Sequence, residues 1–101
     1  MEFTVEITAA ALADAENYIR FLRDDRNEPE YAERWWNGFV DAVLSLETLP
    51  LRCARIPERE QFEEELRHLI YRRHRIIFAV SGRKVTVVRV YHGAQHPLSS
   101  P

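Results

Sequence analysis

The sequence predicts an α+β fold, a mainly antiparallel sheet with a helical hairpin on one face. Three observations predict it. Residues 3–8, FTVEIT, alternate apolar and polar side chains; residues 9–47 hold two stretches of helical period around a short break; residues 66–92 hold three strand-like runs. The order strand, helix, helix, strand, strand, strand places an N-terminal strand, an antiparallel helix pair and a three-stranded antiparallel meander in one sheet. With 101 residues, the chain fits one domain spanning 1–101.

In the first strand Phe3, Val5 and Ile7 share a side, and Thr8 is placed to cap the helix that follows. From Ala9 to about Asp25, Leu12, Ala15, Ile19 and Leu22 recur at helical spacing. The break DDRNEP offers Asn27 or Glu28 as a cap and Pro29 as a first helical residue. The second helix runs from Pro29 to about Glu47, with Ala32, Trp35, Phe39, Val43 and Leu46 on a common face, and Leu49-Pro50 ends it. So short a break makes the two helices an antiparallel hairpin. Adjacent Trp35 and Trp36 point about 100° apart around the axis, so one enters the core and the other is partly exposed. An exposed Trp beside apolar neighbours is a candidate anchor for a partner, and a wide helix face over the sheet is the alternative.

Residues 50–65, PLRCARIPEREQFEEE, hold two prolines and no sustained period, which reads as a long connection with a short helical turn near Glu63. Strands are then expected at Leu66 to Arg72, Arg73 to Val80 and Lys84 to His92, with Ser81-Gly82 turning the last two. The tail HPLSSP is expected to fray.

Composition is that of a globular protein, 46% hydrophobic and 30% charged. No apolar run is long enough to span a membrane, and the first residues lack the pattern of a secretion signal, so a cytoplasmic location is expected. Cys53 is the one cysteine, read as a spectator thiol. His68, His74 and His96 have no spacing that makes a metal site, and no cofactor is expected. Gly-rich phosphate loops and serine-nucleophile motifs are absent.

The net charge of −2 hides an asymmetry, −7 over residues 1–50 and +5 over residues 51–101, and no acid occurs after Glu65. In LRHLIYRRHRIIFAV, alternation puts His74, Ile76, Phe78 and Val80 on one face and Arg73, Arg75, Ile77 and Ala79 on the other. On the last strand Arg89 and Tyr91 oppose Val88, Val90 and His92. With helices covering one side, Arg73, Arg75 and Arg89, joined by Arg67 and Tyr71, are expected on a contiguous outward cationic surface suited to phosphates or carboxylates. The alternative is that acidic residues, EREQFEEE among them, neutralise it within the fold.

The stretch LRHLIYRRHRIIFAV, followed by VTVVRVYHGAQHPL, resembles the C-terminal half of the RelE/ParE superfamily of toxins from bacterial type II toxin-antitoxin systems, the plasmid stabilisation family. The superfamily pattern of a leucine-arginine pair, a YRI-type triplet and a strand ending VxHG is matched by Leu66-Arg67, Arg75-Ile76-Ile77-Phe78 and Val90-Tyr91-His92-Gly93. TAAALADAENYIRFL resembles the opening helix and AVLSLETLP the end of the second, so the likeness spans Phe3 to Pro97.

This resemblance implies a RelE/ParE-like fold and a growth-inhibiting toxin neutralised by a cognate antitoxin, which we expect to be an acidic segment docking near Trp35 or Trp36. One branch of the superfamily cleaves mRNA in the ribosome; another, ParE-like, poisons DNA gyrase. For cleavage, Arg75 matches the arginine that would stabilise phosphate charge, His92 stands where some nuclease members hold an acid/base histidine, and Tyr91 would assist. Departures from the nuclease pattern are Gly93-Ala94-Gln95 in place of basic residues, no tyrosine after Tyr91, and Lys84 as the only lysine. The reading is therefore ParE-like gyrase inhibition, with ribosome-dependent cleavage second and a degenerate antitoxin-binding member third.

Overall fold

The computed structural model describes residues 2–56 and 65–92, and the expected turn near Glu63 and the tail lie outside them. Strand β1 (Thr4–Ile7) leads into helix α1 (Ala9–Arg20), whose start is tied down by Thr8: its Oγ1 accepts from Ala11 N at 3.1 Å and donates to the Val88 carbonyl at 3.1 Å. A π-helical turn (Phe21–Asp25) continues α1, and helix α2 (Pro29–Leu44) begins on Pro29 as expected. Short 3₁₀ turns at Ser45–Glu47 and Pro50–Arg52 follow, then β2 (Leu66–Tyr71), β3 (His74–Ser81) and β4 (Lys84–His92). Among the described residues no helix is long and apolar enough to cross a membrane.

The sheet order is β1-β4-β3-β2. β2, β3 and β4 form the expected antiparallel meander, whereas β1 lies parallel to β4 and makes the sheet mixed. A bulge between Ile77 and Phe78 adds Val88 to β4, because Ile77 faces Arg89 while Phe78 faces Val87. Strict alternation therefore fails there: Val85, Val87 and Val90 enter the main core and Val88 packs on the opposite face.

The main core lies between helices and sheet. Ala11, Ala15 and Leu22 of the first helical segment are buried; Ala15 and Leu22 lie on the expected stripe, whereas Ala11 rather than Leu12 meets the sheet, since the two alanines allow close approach, and Leu12 and Ile19 stay half-buried. From the second come Ala32, Trp35, Phe39 and Leu46, and the sheet supplies Ile76, Phe78, Val85, Val87 and Val90. Trp35 is the buried member of the tryptophan pair and stacks on Phe39 with ring centroids 5.2 Å apart; Trp36 is half-buried. Tyr71 is held in this layer by donating to the Trp35 carbonyl at 2.9 Å. A Cβ at Gly38 would run into the Tyr71 hydroxyl. Gly38→Ala is therefore expected to displace that hydroxyl and cost about 1–2 kcal/mol, read as a lowered denaturation midpoint with unchanged slope.

The second face of the sheet is not open throughout. Ile56 packs there with Leu66, Ile77 and Ala79, because its segment pairs with the β2 edge through Ile56 N to Leu66 O (3.0 Å) and His68 N to Ala54 O (3.1 Å).

Candidate functional site

The expected single surface of arginines is not what this register builds. Arg67 pairs with Phe78 and belongs to the helix-side set of β2, where it donates to the Cys53 carbonyl at 2.7 Å and meets Glu65 at 3.0 Å. Arg73 sits in the two-residue turn between β2 and β3, outside the alternation altogether. Arg89 keeps to the side of Tyr91, its guanidinium 4.9 Å from that ring, yet it is claimed by Asp14 of α1 through two bonds of 2.8 and 2.9 Å. Asp14 also accepts from Val90 N at 2.9 Å, satisfying a β4 edge left open because β1 ends at Ile7. Arg75 and Tyr91 remain as cross-strand partners on the second face, where Arg75 donates to His68 Nδ1 at 3.2 Å. Of the acidic run, Glu65 also pairs with Arg55 at 3.0 Å, and residues 58–64 lie outside the described set.

His92 lies across the sheet from Arg75 and Tyr91. It pairs with His74 on the helix side, ring to ring at 4.9 Å, with Tyr18 4.3 Å from His74 and 6.1 Å from His92. Burial, and then the neighbouring His92, lowers the His74 pKa to about 4, so its ring is neutral near pH 7. Burial raises the Tyr18 hydroxyl and likewise the Cys53 thiol, which keeps the thiol protonated and inert. Among the described residues no group of three or more His, Cys, Asp or Glu side chains is placed to hold a metal ion.

The Tyr18 and His92 rings help to line a cleft of about 720 Å³ at the end of the sheet, with Phe21, Leu22, Arg26, Glu28, Tyr31 and Arg73. Two smaller clefts of about 300 Å³ each share Tyr18 and His74 with one another, one toward Arg89 and the other toward Tyr31 and Arg72. Arg72, at a positive φ of 54°, lays its guanidinium 5.7 Å from the Tyr31 ring centroid. On the other side of the helix pair, Trp36 and Ile19 line a groove of about 360 Å³ with Glu16, Arg20 and Arg23.

Residues 5–97 match the protein family described as ParE toxin of type II toxin-antitoxin system, parDE. The chain belongs to this ParE toxin family. The fold is similar to a solved structure described as the chromosomal ParDE TA system from P. aeruginosa, with a TM-score of 0.74, 20% identity, and coverage of 90% of this chain and 96% of that one. No curated protein matched the sequence.

The fold expected from the superfamily resemblance is the one found, with its helix pair on one side of the sheet. In this ParE family member, Trp35 cannot serve as an anchor for a partner, because it is 1% exposed and stacked within the core; Trp36 is the accessible ring. Sequence reasoning missed the cleft lined by Tyr18, Tyr31, Arg73 and His92, which joins four separate segments, and the smaller clefts beside it that His74 lines. Its one local signal was Tyr71-Arg72-Arg73-His74, where polar residues interrupt two apolar runs at a tight turn.

Proposed function

We propose that this chain is the toxin half of a type II pair acting in the cytoplasm, neutralised by a cognate antitoxin, and that it arrests growth through protein contact with DNA gyrase. The observation that carries the choice of gyrase over message cleavage is the separation of Arg75 and Tyr91 from His92. RNA cleavage by a 2′-hydroxyl needs a base, an acid and a phosphate-stabilising cation around one phosphorus. Here the cation and the tyrosine stand on one face and the histidine on the other, so no single phosphate reaches all three. The geometry favours a surface that binds over a site that cuts.

For the antitoxin, the groove beside Trp36 and Ile19 offers an aromatic anchor with Arg20 and Arg23 at its edge, which suits an amphipathic helix carrying acidic residues. Trp36→Ala is expected to weaken antitoxin affinity by about tenfold or more while leaving growth arrest intact. Retained affinity would move the interface elsewhere.

The test of the target is controlled expression with two readouts, the DNA damage response and mapping of transcript ends, alongside a supercoiling assay on purified gyrase. The Arg75→Ala/His92→Ala double variant is expected to arrest growth and inhibit gyrase like wild type, with no ribosome-dependent cuts in either. Cuts by wild type that vanish in the double variant would establish the nuclease reading instead.

A further inference from the structure

The geometry points to the cleft between the α1–α2 junction and the β2–β3 turn as a binding site for a mononucleotide, its phosphate on Arg73 and its base against Tyr18 and Tyr31. Its volume of about 720 Å³ suits a ligand of that size. Among the ionisable lining groups, Arg26 lies 3.4 Å from Glu28 and is largely answered by it, whereas Arg73 is exposed and forms no ion pair among the described residues. One guanidinium fork is thus available to an anion, with the Arg72 cation beside it.

The walls select what the anion is attached to. Tyr18 and Tyr31 present aromatic surface from two different helices, and Phe21 stacks beside Tyr18 at 6.0 Å. A base stacks on such rings, whereas an acidic peptide would use the arginine and leave them idle.

Two further features lie at its margins. His74 is 4% exposed, its Nδ1 has no hydrogen-bond partner, and it lines the two smaller clefts that adjoin this one through Tyr18. The backbone takes a positive φ beside both rims, at Asn27 (53°), which asparagine tolerates, and at Arg72 (54°), where it is strained, and a π-helical turn carries Phe21 and Leu22 into the cleft. This site is separate from the Trp36 groove and from the Arg75 face, so it does not depend on the gyrase reading.

The experiment is calorimetric titration of the purified full chain with adenosine 5′-monophosphate, adenosine, inorganic phosphate, and a short peptide ending in two glutamates. Saturable one-to-one binding of the nucleotide is expected, with each of the three other probes weaker by about tenfold or more. Arg73→Ala, in an exposed turn, is expected to weaken the nucleotide by about tenfold, and Arg75→Ala to leave it unchanged. Circular dichroism of both variants should match wild type. The proposal is overturned by absence of saturable heat up to about 10 mM nucleotide, by phosphate or the peptide binding as tightly as the nucleotide, or by a folded Arg73→Ala chain that binds like wild type.

Discussion

Replacing Asp14 by alanine should cost the fold about 2–4 kcal/mol, lowering the melting temperature by about 10–20 °C for a chain of this size. β4 runs on to His92 while its parallel neighbour β1 stops at Ile7, so the outer edge of β4 beyond Val87 has no strand beside it. Thr8 takes up the carbonyls of Val87 and Val88, and Asp14 takes the amide of Val90. Without the carboxylate that amide loses its acceptor on a residue 5% exposed, and Arg89 loses both of its bonds. Two control variants separate these contributions. Asp14→Asn retains an oxygen for Val90 N and should recover about half of the loss. Arg89→Ala should cost only about 1 kcal/mol, because the Arg89 side chain is 43% exposed and its attraction is screened by solvent. Calorimetric melting of the three variants decides the matter, and an Asp14→Ala chain that melts within about 2 °C of wild type would show the edge to be satisfied some other way.

Stability should also fall as the solution is made mildly acidic, by up to about 3 kcal/mol between pH 6.5 and pH 4. The source is His74, whose folded-state pKa is lowered to about 4 by burial and then by His92. In the unfolded chain the ring returns to its ordinary value of 6.5. The folded value lies below the unfolded one, so between them the unfolded chain binds more protons and acid favours unfolding. His74 makes no such demand above about pH 6.5. Urea denaturation at a series of pH values measures the effect, and the window from about pH 5 to 6.5 isolates it from most carboxylates. His74→Phe keeps an aromatic ring among Tyr18, Trp35 and His92, and Nδ1 forms no bond that the change would break. That variant should have a flatter acid limb; an identical slope would assign the limb to another group.

Much of the local structure was legible because it depends on neighbours a few residues apart. Alternation in FTVEIT marked β1, Pro29 marked the start of α2, and Gly82, at a positive φ of 60°, turned β3 into β4. The adjacent tryptophans had to divide between core and surface, and Trp35 took the core. Counting along β4 failed at Val88, since a bulge inserts a residue that no pattern in VTVVRVYH announces. The reading of the arginines failed for a related reason. Arg89 meets an aspartate 75 positions away, Arg67 turns toward the helix side, and Ile56 covers part of the face thought to be open.

By itself the sequence determined which segments are helix and strand, their order, and membership of the ParE toxin family over residues 5–97, because periodicity and motif are properties of the linear chain. Only the tertiary structure decided that Arg75 and His92 part company across the sheet, that Asp14 closes the β4 edge, and that Tyr18, Tyr31, Arg73, His74 and His92 meet around clefts at one end. Those outcomes turn on strand register and on contacts between distant segments, where one inserted residue exchanges the faces of everything beyond it.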